Sequence, residues 1–590
     1  MSREDLTKLT RSYLQGACSR REFITRAMAL GLSLSTIGTV LSACATPTEE
    51  APAETKPPVA TQAAAPTATA APAAAEIPAR QKELLCGYNT EALHIDPASY
   101  NYMECDLPYV SMYENLLRYA FKGGTEEIVY EPVLAESWEM SDDAIEFTFH
   151  LRQGVKFHDG TDFNAEAVKF SYERSMEIGE GVGSRLTMWV DHIDVLDDYT
   201  VKLVLQKPNP AYLDLMANFW FPHILSPTAV KEHEAEPGDL AYDWFRGNAV
   251  GTGPYKFVSW THEAELVIEK FDDYWGGWDR PADQPSLEKV TTRFLPEAST
   301  QRMLLAKGDL DMALMQLPVE DYDALKQEPD LELVEMPVAI RWVWVFNTQK
   351  PPLDNVKVRQ ALAHAFNYEA VGRDIMSGYG SAYSTPLLPH QQGYDANAFA
   401  YDYDLDKAKA LLAEAGYPDG IEEEIGWRFM SGTEAFQRIG EMFQADLKKI
   451  GVNLTVEGMP FAEARAMQSA GPDKAMHMWG GPCGCNSPDP VGFLEGWFHS
   501  DRFVPKGANF AFYASPEFDE AVENAMVELD PAKRVEYIQK AAQIVQEDAV
   551  GIWVVVPKQI AVVRTVVKGI KLVPGDVATI RPYYLHKEAP

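Results

Sequence analysis

Basic residues are scarce in this chain: 52 Lys and Arg stand against 87 Asp and Glu, a formal net charge of −35 over 590 residues. Such a surface repels phosphate backbones and anionic lipid, which argues against nucleic-acid binding. Most of the acids read as a solubilising surface. Long hydrophobic runs are lacking as well. The most apolar stretch, 27–43, is short, rich in Gly, Ser and Thr, and ends in small residues, so it reads as an export signal and not as a membrane span. Catalytic motifs are also missing. There is no Gly-x-Ser-x-Gly elbow and no phosphate loop, and "HEAEP" at His233 and "HEAEL" at His262 lack the second histidine of a zinc-protease helix. Acid pairs such as Asp142-Asp143 read as turn residues. No tandem repeat is evident. Nothing argues for an enzyme, and no cofactor is implied.

What is present divides the chain. "SRREFI" (19–24) sets two arginines before the apolar run, resembling a twin-arginine export signal, and "LSAC" (41–44) resembles a lipobox with Cys44 as the lipidated residue. Residues 1–43 are thus expected to be a signal peptide. The Ala, Pro and Thr tract that follows cannot bury enough apolar surface to offset the entropy of ordering, so 44–80 is expected to be a disordered tether. An anchor, a tether and a globular body describe a protein held on the outer face of a membrane, periplasmic or extracellular. Hydrophobic residues make up 46% of the chain, enough for a large core, and the length suggests three or four domains.

Beyond Arg80 the patterning is α/β. "IEFTFHLR", "VKLVLQ", "ELVIEKF", "VTTRFL" and "RWVWVFN" read as strands, the first by clear alternation. "DFNAEAVKFSYERSM" begins on cap-like Asp162 and Asn164. "DKAKALLAEAGYPDG" ends on the stop signals Gly416, Pro418 and Gly420, and "AKRVEYIQKAAQIVQEDA" carries an apolar stripe at Val535, Ile538, Ala542 and Val545.

Several of these segments, in order, resemble the family 5 solute-binding proteins that serve ATP-driven importers of peptides and nickel. They include "PVLAESWEMSDDAIEFTFHLRQGVKFHDGTDFNAEAVKFSYER" (132–174), "GTGPYKFVSW", "FDDYWGG", "FNTQKPPLDNVKVRQALAHAFN" and "SPEFDEAVENAMVELDPAKRVEYIQKAAQIVQEDA". The resemblance implies a bilobed periplasmic-binding-protein fold of the three-part, peptide-binding class. Lobe I is expected at 81–117, 231–328 and 558–590, an extra subdomain at 118–230, and lobe II at 329–557. A ligand bridges the lobes and favours their closed form, and a permease and ATPase complete the importer. A monomer is expected.

The same resemblance suggests ligand contacts. Asp96-Pro97 and "YENLL" (113–117) place Asn101, Tyr102 and Met103 at the first lobe's lip, and the subdomain offers Arg185 and Trp189. The second lobe offers Arg341, Trp342, Trp344 and Phe461, with Trp479, Gly480 and Asp489 from "MHMWGGPCGCNSPDP" (476–490). Each aromatic could equally pack in a core, whereas Arg341 on a doubly buried strand is expected to meet a ligand carboxylate. In peptide binders an Asp shortly after the equivalent of Trp479 grips the α-amine; here that position holds Pro482, and the first acid is Asp489. Either Asp489 serves instead, or the ligand lacks an amine, as in sugar-binding members, where Trp342, Trp344, Phe461 and Trp479 would stack on sugar faces. A ligand-presenting sensor has the same features. Soft-metal binding by His477, Cys483 and Cys485 is disfavoured, because alternation would send His477 away from Met476 and Met478, and a Cys-x-Cys pair is not a zinc set. Cys86 and Cys105 could pair in an oxidising exterior.

Overall fold

A computed structural model describes residues 79–590 except 101–105, 125–126, 219, 282, 315–316, 337–339, 431–433, 484–486, 575–579 and 589–590. The side chains of Arg185 and Phe461 also fall outside the description. The expected signal peptide, Cys44 and nearly all of the 44–80 tether lie outside the described residues, as do Asn101, Tyr102, Met103, Cys105 and Cys485.

Two large sheets organise the described chain. The first has seven strands in the order Leu331–Met336, Gln559–Arg564, Met312–Ala313, Glu83–Tyr88, Lys289–Phe294, Glu265–Lys270 and Tyr255–Thr261. The second has six, in the order Gly380–Ala382, Gly551–Pro557, Arg341–Phe346, Met478–Cys483, Ile421–Met430 and Val452–Met459. Each forms one lobe. Five segments read as strands from their sequence are strands here, at Glu146–Leu151, Thr200–Leu205, Glu265–Lys270, Lys289–Phe294 and Arg341–Phe346. Leu331–Met336 pairs along its whole length with Gln559–Arg564 in the first sheet. The first lobe therefore runs through Met336, eight residues past the expected boundary at 328.

The lobes are joined by two crossings: the chain passes from Met336 to Arg341, and from Pro557 through Lys558 to Gln559. Both leave one sheet's strand and enter the other's within a few residues, which is the geometry of a hinge. A four-stranded antiparallel sheet, Ala135–Met140, Glu146–Leu151, Thr200–Leu205 and Val190–Asp197, forms the subdomain with the helix Ala165–Ile178. Asn164 caps that helix by accepting the Ala167 N–H at 3.0 Å.

The second lobe is a three-layer sandwich. Helices Val356–His364, Leu405–Glu414 and Glu434–Lys449 share one core with Trp342, Trp344 and Phe346. Helices Val491–Phe498, Pro516–Val527 and Pro531–Glu547 share the opposite core with Val343, Val345 and Trp479. Covered on both faces, Arg341–Phe346 is buried at every position. No described helix is long and apolar enough to cross a membrane.

Candidate functional site

The subdomain meets the second lobe through the short helix Tyr212–Ala217 and the residues just after it. Asn218 donates from Nδ2 to the hydroxyl of Ser487 at 3.0 Å, a bond spanning 269 residues of sequence. Leu215 lies against the Cα of Gly492, where a Cβ would sit 4.0 Å from its Cδ2. Met188 accepts a bond from Arg502 Nη2 through its sulfur at 3.3 Å. These contacts close the mouth between the subdomain and the second lobe.

The electrostatic centre of this contact is Asp489. Its Oδ1 accepts the Val491 N–H at 2.8 Å, fixing the start of the helix Val491–Phe498, and its Oδ2 pairs with Arg534 Nη2 at 2.5 Å. Arg534 stands in the first turn of the helix Pro531–Glu547, which Asp530 caps, and also donates to Gln392. From the subdomain side Asp214 faces the same pair. Burial, and then the negative charge of Asp489, pushes its carboxyl well above the usual range, while a hydrogen bond from Tyr119, the charge of Arg534 and the Asp489 N–H pull the other way. Tyr119 donates to the Asp214 carbonyl at 2.8 Å.

On the first-lobe side Glu114 is buried and accepts from Tyr274 (2.9 Å), Trp275 (2.8 Å) and Thr252 (3.0 Å). Burial raises its pKa, and these three donors oppose the rise. A cavity of about 40 Å³ lies between the first lobe, the subdomain and the C-terminal segment, lined in part by Glu114, Asn115, Arg118, Asn218, His223 and Arg581. It has room for a water or two and no more.

Residues 129–504 match the family model described as bacterial extracellular solute-binding proteins, family 5. The chain belongs to that family. The probable D,D-dipeptide-binding periplasmic protein DdpA of Escherichia coli K12 is 31% identical over 476 residues, covering 80% of this chain and 87% of its own. The heme-binding protein A of Haemophilus influenzae is 30% identical over 484 residues, covering 78% and 83%. The solved structure of DppA from Helicobacter pylori in complex with the peptide STSA has a TM-score of 0.73 at 27% identity, covering 86% of this chain and all but 2% of its own. Relatives this similar carry names for different ligands, so ligand identity does not follow from the family.

In this solute-binding protein the residues expected to touch ligand separate by sheet face. Trp342 and Trp344 point into the outer core of lobe II, where Trp342 meets Phe436 (centroids 4.4 Å apart) and Trp344 meets Trp427 (4.0 Å). Gly480 lies under the same indoles: a Cβ there would stand 2.4 Å from Trp344 Cδ1 and 2.9 Å from Trp427 Nε1. The two indoles thus pack in the core shared with helices Val356–His364, Leu405–Glu414 and Glu434–Lys449, with Gly480 beneath them. Arg341 is buried on the opposite face, donating to the Pro386 carbonyl and to Gln391 Oε1 and lying 4.2 Å over the Phe493 ring. Both of these acceptors belong to lobe II. Trp479, cross-strand from Val345, packs beneath the helical layer near Phe510. Trp189 is buried in the subdomain with Lys207 4.8 Å over its ring. Of the described candidates, only Asp489 sits where subdomain and lobe II meet.

Met476 and Met478 do not share a side. The strand begins only at Met478, and the two sulfur side chains enter opposite cores. Cys86 is buried and makes no disulfide with a described residue, and burial pushes its thiol far up. Sequence reasoning missed Asp214, Asn218, Ser487 and Arg534. The available signal was an acid inside an apolar run, "AYLDLMANFW".

Proposed function

We propose that this chain is the substrate-binding component of an ATP-driven importer, tethered by lipid at Cys44 to the outer face of the membrane after export. It captures a peptide or similar small polar solute by closing its lobes, and delivers it to a membrane permease. The observation that carries this reading is the closed contact of Asn218, Leu215 and Asp214 with Ser487, Gly492 and Asp489, set against a hinge of only two crossings. The first lobe and the far side of lobe II have cores of their own, while apolar side chains of the subdomain and of the near side of lobe II run together in one cluster across the contact. Asn101, Tyr102, Met103, Arg185 and Phe461 remain the proposed ligand contacts of the mouth, together with Asp489.

Of the four rings offered to an oligosaccharide, Trp342 and Trp344 belong to the core of lobe II, which favours the peptide-like reading; a ligand-presenting sensor has the same features. The test of the peptide-like reading is native mass spectrometry of the exported protein purified without refolding, followed by thermal shifts against peptide and sugar panels. A bound peptide mass and a panel hit are expected; a hundredfold excess over Kd adds about 2.7 kcal/mol of stability. A single sugar mass with a flat peptide panel contradicts the reading.

A further inference from the structure

Lobe II holds a second cavity, of about 300 Å³, between the segment 385–399 and the helix Pro531–Glu547. No residue of the contact with the subdomain lines it. Its floor is apolar, from Pro386, Leu387 and Ala542. Gln539, Ala542, Gln543 and Gln546 stand three or four residues apart on the helix, so they share the face that forms one wall.

Two rings form the opposite wall. Tyr394 is half-buried, and Phe399 is 47% exposed, an uncovered apolar surface at the edge of the cavity. Phe399 is held in that position. It stands edge-on to Tyr401 with ring centroids 5.0 Å apart, and the Tyr401 hydroxyl donates to the Gln546 carbonyl at 3.0 Å. The volume is at the lower end of ligand-pocket sizes, which suits a single ring with a short side chain.

The lining also sets the sign of the ligand's charge. Among the described residues that line the cavity Asp395 is the one carboxylate, and there is no basic side chain. Asn397 fixes Asp395 at the rim, donating to Oδ1 from its backbone N–H at 2.8 Å and from its side-chain amide at 3.4 Å. An anion here faces that carboxylate with no cation to offset it, and the net charge of −35 draws cations to the surface over long range. An ammonium group beside an aromatic face gains a cation–π attraction as well.

We infer that this cavity is a second binding site, for a small aromatic amine whose ring packs against Tyr394 and Phe399 and whose ammonium meets Asp395. Its occupant braces the mouth. Between the two lining stretches of the segment lie Gln391 and Gln392. Gln391 donates from Nε2 to the Ser487 carbonyl at 3.0 Å, and the Gln392 N–H donates to the Pro488 carbonyl at 2.8 Å. The helix that forms the other wall supplies Arg534, which donates to Gln392 Oε1 and pairs with Asp489. A molecule held between segment and helix therefore steadies both elements that position Ser487 and Asp489. The site stands whether or not the mouth captures a solute; only its effect on capture rests on that reading.

The test is a fluorine NMR titration of the full chain with para-fluorophenethylamine, and with para-fluorophenylacetate as the same ring with the opposite charge. Saturable broadening is expected for the amine, with weaker binding of the acid. Phe399→Ala should weaken the amine about 2- to 12-fold. Asp395→Asn should weaken it about 1.5- to 5-fold and narrow the gap between amine and acid. Both side chains are exposed, so both variants should fold. Hydrogen exchange in 487–491 should slow when the amine is bound. No saturable effect of the amine on the native chain overturns the site and needs no variant. Equal affinity for amine and acid overturns the chemical class, and amine binding unchanged in both variants places it elsewhere. Amine bound with unchanged exchange in 487–491 overturns the bracing of the mouth. Amine binding that Phe399→Ala weakens supports the site even in a chain that captures no solute, so the two readings fail separately.

Discussion

The guanidinium of Arg174 donates from both amino groups to the two oxygens of Asp96, at 2.7 and 2.8 Å, and neither side chain has any exposed surface. Arg174 closes the segment 132–174 that resembles the family, and Asp96 opens the first-lobe lip. A third bond from Arg174 Nε reaches the Leu240 carbonyl at 2.9 Å, and Phe245 lies 5.0 Å beneath the guanidinium. The subdomain is thereby fixed to the first lobe, so that motion at the mouth must take place against lobe II. Arg174→Ala strands a buried carboxylate and should cost about 3–5 kcal/mol, read as a lower denaturation midpoint. A variant as stable as the native protein contradicts this account of the pair.

His158 predicts acid sensitivity. Its Nε2–H donates to the Gly253 carbonyl at 2.9 Å and its Nδ1 accepts the Gly251 N–H at 3.3 Å, so only the neutral ring satisfies both. Burial lowers its pKa from 6.5 to about 4. The folded form binds fewer protons than the unfolded one between those values. The stabilisation is therefore complete above the ordinary histidine range and lost as pH falls to about 4, roughly 3 kcal/mol in all. His158→Gln should flatten the stability profile over that window, as measured by urea unfolding at a series of pH values.

Gly480 packs against the Trp344 and Trp427 indoles. Gly480→Ala forces the Trp344 and Trp427 indoles apart and should cost about 1–3 kcal/mol. Solute affinity, measured where the variant is still folded, should be unchanged. A large loss of affinity without loss of stability would return Gly480 to the site.

Asn218 and Ser487 bond only when the mouth is closed. Asn218→Ala removes about 0.5–1.5 kcal/mol from closure, so the co-purifying solute should bind roughly 2- to 12-fold more weakly. The unfolding midpoint of the solute-free protein should hardly move. An unchanged solute affinity contradicts the assignment of this contact to the closed state.

Much of the fold is legible in the sequence because its elements are local. "IEFTFHLR" alternates on a sheet with one covered face, and Asn164 announces its helix by the cap it makes. Arg341–Phe346 shows where this legibility ends. Its sheet is covered on both faces, so every position is buried, and the side chains give no cue to which face looks towards the cleft. The charge of Arg341 signals a need for partners, and these include the Pro386 carbonyl and Gln391, 45 and 50 residues away. The mouth is harder still. Asp214 resembles an ordinary surface acid until the fold brings Asp489 to it from a distant loop and Arg534 from a distant helix.

The central claim is that the mouth between the subdomain and lobe II opens and closes on a solute. Hydrogen exchange of the full chain, with its co-purifying solute and after that solute is removed, tests this most directly. The account predicts that solute slows exchange in residues 212–220 and 487–494 together, while the Trp344–Trp427 core changes little. Protection confined to one side of the mouth, or spread evenly over the molecule, would contradict it.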